Sequence, residues 1–318
     1  MGSDPIALPV LDLLTRGPAE VVAVYTQPDR ATGRGQRVQE NPIKRWALDQ
    51  GIEVRQPLHL TESERISMEA LAPDLVMVMA YGHLLRQAWL DTPRAGIFNL
   101  HTSLLPRYRG ASPIQATVLE GDAEGGVTLM RLVLKMDAGP LVDHEKVVIG
   151  PTETAGSLEE KLSQACVPLV ERNLESLLSG EARLKPQDPS RVSFTRKLRK
   201  TDGVIDFSQP ADVLVRRING LYPWPGVQVP INGVTIRCGL ADHSRECAGP
   251  LIGTVLEPDR IGLRIATGSG LLRIRRLQRP GGRMLDGPEF LRGFPVAPGT
   301  VLESRPMPRL VANEPLRG

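Results

Sequence analysis

The sequence predicts an α/β protein: a doubly wound, mostly parallel sheet followed by a small β-barrel. Two observations carry this reading. Apolar β-type runs at 21–27, 75–80, 96–101 and 127–133 alternate with helical candidates at 42–50, 63–72, 113–120 and 154–178, which is the pattern of strands joined by helices that cover both sheet faces. Beyond a proline-containing break at 185–190 come short runs punctuated by glycine, at 226–229, 234–238, 253–256, 262–266 and 271–277, after one helical candidate at 211–219. Several short strands with a single early helix suit a small barrel.

The segment NLHTSLLPRYRG, Asn99 to Gly110, is the densest cluster of chemistry in the chain. Asn99 and His101 are two residues apart on a predicted strand and so share a face. An amide and an imidazole leaving the carboxyl end of a strand together, just before a turn, sit where open α/β sheets place ligands. A lone histidine there is more often a hydrogen-bonded structural residue, so a partner is needed. KMDAGP supplies Asp137, after another apolar run and before a Gly-Pro turn; alone it reads as a turn-capping residue. A second motif, QPDRATGRGQR (Gln27 to Arg37), has three arginines and no apolar anchor between Ala31 and Gln36, and is expected to be a mobile surface loop. It lacks the third glycine and the following helix of a phosphate-cradling loop. Ser103 has no nucleophile elbow around it, which disfavours a Ser-His hydrolase.

At 318 residues the chain is long enough for two domains with separate cores. No apolar run approaches the length that spans a bilayer, and no membrane partner is expected. Cys166, Cys238 and Cys247 are an odd set at spacings of neither a zinc site nor a disulfide framework, so free thiols in a reducing compartment and no metal are expected. The net charge of +3 conceals an asymmetry. Residues 1–189 carry 19 Lys and Arg against 25 Asp and Glu, a balance of −6, whereas residues 190–318 carry 20 against 11, a balance of +9. Arg196, Lys197, Arg199, Lys200, Arg273, Arg275, Arg276, Arg279 and Arg283 concentrate the positive charge. Such clusters suit a polyanion, and equally a solvated arginine-rich surface.

Several ordered motifs resemble the formyltransferases that use 10-formyltetrahydrofolate, and over nearly the whole chain their tRNA-directed branch. They are VYTQPDRATGRGQ, AYGHLL at Ala80 to Leu85, Asn99 with HTSLLPRYRGASPIQ, MDAG, KTDGVIDF at Lys200 to Phe207, and NGLYPWPG at Asn219 to Gly226. The resemblance implies a Rossmann-like catalytic domain over 1–184, a linker at 185–194 and an OB-like tRNA-binding domain over 195–318. It also implies the reaction: the formyl group of 10-formyltetrahydrofolate passes to the α-amine of initiator methionyl-tRNA, in a bacterial-type cytoplasm, with folate as co-substrate and no tightly bound cofactor. Asn99, His101 and Asp137 become the catalytic set. Ser103, Leu104, Leu105, Pro106, Tyr81 and Gly82 become the folate wall, and Arg30, Arg34, Arg37, Lys197 and Lys200 the tRNA contacts. The enzyme is read as a monomer.

Two departures from the pattern stand out. MGSDPIALPVLDLL matches the first glycine turn and helix of the family without the apolar strand that precedes them, so a start upstream of Met1 and two unpaired strand edges are expected. Pro140 stands after MDAG where many relatives carry an acid, so the turn is expected to differ in shape. Two other readings stay open: a formyltransferase acting on a small amine (glycinamide ribonucleotide or an amino sugar), and a non-catalytic RNA-binding relative. His59, His83, His144 and His243 lack comparable neighbours and are read as structural or exposed.

Overall fold

The computed structural model describes residues 1–32, 37–244, 246 and 251–316. Two compact units interleave along the chain, one of residues 1–109, 126–147 and 159–192, the other of residues 110–125, 148–158 and 193–318.

The chain opens with α1 (Leu8–Arg16), β1 (Val24–Tyr25) and a ribbon of β2 (Arg30–Thr32) and β3 (Arg37–Gln39). Next come α2 (Pro42–Asp49), β4 (Val54–Arg55), α3 (Glu62–Glu69), β5 (Leu75–Val78) and α4 (Gln87–Leu90). Local chemistry sets these helix starts. The Asn41 side chain accepts from the Ile43 N–H ahead of Pro42, and the Thr61 hydroxyl accepts from Glu64 N–H with Glu62 and Glu64 in the first turn. β6 (Gly96–His101), β7 (Arg109–Gly110), α5 (Pro113–Glu120), β8 (Glu124–Arg131), β9 (Leu141–Val148), α6 (Ala155–Glu171) and α7 (Leu174–Ser179) follow.

β1 pairs with β4 in parallel, and a separate four-stranded sheet has the order β5-β6-β8-β9. β5 and β6 are parallel, as predicted, but β8 runs antiparallel to β6. A parallel return needs a crossover lying on the sheet. α5, itself part of the second unit, instead packs against that unit's helix over 211–220, and the chain re-enters the sheet at the end where β6 leaves it, with Thr128 opposite His101. Between β1 and β5 lies a cavity of about 650 Å³, lined by apolar residues including Val10, Val24, Met68, Val76 and Met77. At its margin Gly2 donates to the Tyr25 carbonyl at 3.0 Å and Met1 accepts from the Met79 N–H at 2.9 Å. The expected strand at 21–27 shrinks to Val24–Tyr25. The expected loop at 27–37 is in part a ladder, Arg30 opposite Gln39 and Thr32 opposite Arg37; a two-stranded ribbon pairs backbone groups and needs no apolar face to betray it.

In the second unit, β10 (Phe194–Thr195) pairs with the late strand 311–312, and α8 (Ala211–Gly220) precedes β11 (Val227–Ile231) and β12 (Val234–Ser244). β13 (Leu263–Ala266), β14 (Leu271–Gln278), β15 (Leu285–Asp286), α9 (Gly287–Gly293) and β16 (Val311–Ala312) complete it. The antiparallel order is β11-β12-β14-β13, with β15 on β14. Asn232 and Gly233 join β11 to β12 with φ of +50° and +76°, the left-handed pair that a tight hairpin demands. The expected strand at 253–256 makes isolated bridges, Thr254 to Val301 and Val255 to Ile265. α9 escaped the sequence reading because its flanking glycines and Pro288 look like breakers. Leu214 and Ile218 of α8, Ile236 and Cys238 of β12 and Leu272, Ile274 and Leu277 of β14 are buried in one core, each aliphatic side chain contributing about 1.5–3 kcal/mol.

Candidate active site

Val78 of β5 lies opposite Asn99 of β6 in a parallel register. The loop with Tyr81 and Gly82 therefore leaves the same end of the sheet as His101. Backbone in the left-handed region gathers there: Ala80 at φ +48°, Gly82 at +81°, Tyr108 at +61° and Asp137 at +49°. Non-glycine residues hold such angles where surrounding structure over-determines them, which happens at functional sites.

His101 is 6% exposed, and its Nε2 lies 3.0 Å from the Tyr108 carbonyl. A carbonyl only accepts, so Nε2 carries a hydrogen, and in the neutral ring the lone pair then falls to Nδ1. Nδ1 faces Asp137 Oδ1 at 3.8 Å. The arrangement presents a proton acceptor beside a carboxylate that pairs with the imidazole once it is protonated. Asn99 lies two residues earlier on the same strand, half-buried.

The SLLP loop is tied down from β8. The Thr128 hydroxyl donates to the Ser103 carbonyl at 2.6 Å and accepts the Leu105 N–H at 3.1 Å. The Ser103 hydroxyl donates to the Arg107 carbonyl at 2.7 Å, within the loop itself. Leu105 and Pro106 are buried, and Leu104 is half-buried against Gly126, where a Cβ would meet Leu104 Cδ2 at 2.5 Å. Tyr81 belongs to the core with Tyr25, Trp89 and Ile97, and burial pushes its hydroxyl above the ordinary tyrosine value. Gly82 is exposed, and the Gln27 side chain donates to the Tyr81 carbonyl at 3.1 Å. After Asp137, Pro140 offers its carbonyl to Arg131 N–H at 3.0 Å, a role that needs no N–H of its own. Sequence reasoning missed Thr128 and the Tyr108 carbonyl. A threonine within an apolar strand reads as a β-former, and a backbone acceptor has no sequence signal.

Arg30 is exposed and donates to the Gln27 side chain at 3.0 Å. Arg34 lies outside the described residues, and of Arg37 the backbone is described, opposite Thr32. Lys197 and Lys200 are exposed on the second unit. Much of the positive cluster there is already paired, Arg196 with Asp202 at 2.6 Å, Arg273 with Asp242 and Asp259 at 2.6 and 2.9 Å, and Arg276 with Asp286 at 3.5 Å. Cys166 and Cys238 are buried thiols that burial pushes up to about 12, and Cys247 lies outside the described residues. Among the described residues no group of three or more His, Cys, Asp or Glu could hold a metal ion, and no helix is long and apolar enough to cross a membrane.

Comparison with known proteins meets this geometry. Residues 10–171 match the family described as formyl transferase, and residues 197–295 match the formyl transferase C-terminal domain. The methionyl-tRNA formyltransferase of Ectopseudomonas mendocina (strain ymp) is 40% identical over 304 residues, 95% of this chain and 96% of that protein. That of Halorhodospira halophila (strain DSM 244 / SL1) is 40% identical over 301 residues, 94% and 96% of the two chains. Among solved structures, the sugar 3N-formyl transferase WlaRD, determined with dTDP and 5-N-formyl-THF, superposes with a TM-score of 0.67 at 17% identity, over 89% of this chain and 97% of that one. An N-formyltransferase from Helicobacter canadensis gives 0.65 at 17% identity, over 87% and 97%.

Proposed function

We propose, from the premise that the chain belongs to the formyl transferase family and formylates methionyl-tRNA, that Asn99, His101 and Asp137 carry the transfer and that 10-formyltetrahydrofolate is the donor. The observation that carries the assignment is the His101 ring, with Nε2 tied to the Tyr108 carbonyl and Nδ1 facing Asp137 at 3.8 Å.

The α-amine of the methionyl group attacks the formyl carbon. A C–N bond forms and the carbonyl electron pair moves onto oxygen. Asn99 supplies an amide N–H to that oxyanion, a contribution typically of about 2.7–4 kcal/mol. His101 takes the proton that the attacking amine sheds, and Asp137 stabilises the resulting imidazolium. Collapse of the intermediate breaks the bond to the folate nitrogen, which receives the proton. Ser103, Leu104, Leu105, Pro106, Tyr81 and Gly82 form the wall on the folate side: Leu104 offers side-chain surface and Gly82 open backbone, while Ser103, Leu105 and Tyr81 shape the loops from within. Arg30, Arg34, Arg37, Lys197 and Lys200 contact the tRNA. One unit of one chain contains all three catalytic groups, which supports a monomer as the working form, acting in the cytoplasm where initiator tRNA is used.

The protein is incubated with 10-formyltetrahydrofolate and either methionyl-tRNA or glycinamide ribonucleotide. Formylation of the tRNA amine is expected, and formylation of the small amine alone would overturn the reading. His101→Ala should lower transfer by roughly 10²–10⁴-fold while tRNA binding persists. Loss of binding instead would make His101 a structural residue.

A further inference from the structure

The stretch at 185–190, which its prolines mark as a connector, places a side chain against the site. Lys185 and Leu141 exchange backbone hydrogen bonds at 2.7 and 2.8 Å. The antiparallel register, continued by two residues, sets residue 187 opposite residue 139. Gln187 Nε2 donates to the carbonyls of Asp137 at 2.9 Å and Gly139 at 2.8 Å. Its Oε1 accepts from Arg109, at 3.2 Å from Nε and 2.7 Å from Nη2. The amide orientation is forced, because carbonyls only accept and a guanidinium only donates. Arg109 is 5% exposed and directly follows Tyr108, whose carbonyl holds His101 Nε2.

We infer that Gln187 is a positioning residue for formyl transfer, closing a ring of contacts that sets the separation of His101 and Asp137. The ring runs from the His101 ring to the Tyr108 carbonyl, along the chain to Arg109, through Gln187 to the backbone of the Asp137 turn, and from the Asp137 carboxylate back to His101. The turn needs such a hold. Asp137 sits at φ +49°, and Gly139 is packed so tightly that a Cβ would lie 1.8 Å from the Arg131 carbonyl oxygen. Burial lowers the Arg109 guanidinium below its ordinary range, and the Asp137 charge pushes it back, so the arginine end of the ring feels the carboxylate as well.

The inference rests on the catalytic reading of His101 and Asp137, and the test separates the two. Gln187→Ala and the isosteric Gln187→Glu, which keeps an acceptor for Arg109 but cannot donate to the two carbonyls, are compared with His101→Ala in steady-state formylation across pH. Both Gln187 variants should lose roughly 10- to 100-fold in kcat, with KM for methionyl-tRNA within about twofold of wild type, and the acidic limb of the kcat profile should move. If Gln187→Ala unfolds, Gln187→Glu supplies the reading, its folding checked by circular dichroism. Unchanged kcat and pH profile in a folded variant, a fall in kcat with an unmoved profile, or an effect confined to KM would each overturn the positioning role. A fully active His101→Ala would instead bring down the catalytic reading itself.

Discussion

Thr128 uses one hydroxyl twice, giving its hydrogen to the Ser103 carbonyl and taking the Leu105 N–H. Both partners are shielded from water, so the shape of the SLLP loop depends on this side chain. Thr128→Val keeps the volume and removes both bonds, leaving a buried N–H unsatisfied at a cost of about 1–3 kcal/mol; Thr128→Ser should recover most of it. Urea unfolding of the two variants measures the difference, and equal stability of Val and wild type would show that the loop holds its shape without the hydroxyl. At this scale the sequence displayed the groups proposed to react and hid what holds them. Asn99, His101 and Asp137 are polar residues at strand ends and a turn, where polarity is conspicuous. Thr128 and Gln187 bond backbone carbonyls and an amide, which carry no sequence signal, and Arg109 bonds the side chain of Gln187, far from it along the chain.

Among the elements, β6 and α5 span the predicted residues 96–101 and 113–120, because a short apolar run after glycine and a Pro-led segment ending at Gly121 carry local signals. The direction of β8 was not local information, since it depends on where α5 packs. The base of the β2–β3 ribbon offers a test. The Asp29 carboxylate accepts from Lys44 Nζ at 2.5 Å, the Gln56 side chain at 3.0 Å and the Asn41 N–H at 3.1 Å. These bonds, that from Lys44 first, hold its pKa down to about 2 from the ordinary 3.8. A depressed carboxylate pKa stabilises the fold above pH 3.8, and that contribution fades as pH falls through about 2. Asp29→Asn should therefore be less stable than wild type at pH 5 in urea unfolding, with the two converging near pH 2. A gap independent of pH would assign the effect to lost hydrogen bonds rather than charge.

For the molecule as a whole, the charge balance of +9 beyond residue 189 overstates what a polyanion meets, because Arg196, Arg273 and Arg276 are engaged with carboxylates of their own unit. Lys197 and Lys200 are exposed and are the residues proposed to meet it. Lys197→Ala and Lys200→Ala should each reduce the slope of log affinity for tRNA against log salt by about 1, measured by filter binding. Arg273→Ala should leave that slope alone and lower stability; a slope change in Arg273→Ala with none in the lysine variants would reverse the assignment. By itself the sequence determined the α/β class followed by a run of short strands, the candidate site residues and the family, since hydrophobic period, turn residues and ordered motifs are local or linear properties. Tertiary structure decided the antiparallel course of β8, the pairing of the arginines, the nitrogen of His101 that faces Asp137, and the seat of Gln187 beside it. Each depends on which distant residues the packing brings within a few ångströms, and separation along the chain carries no record of that.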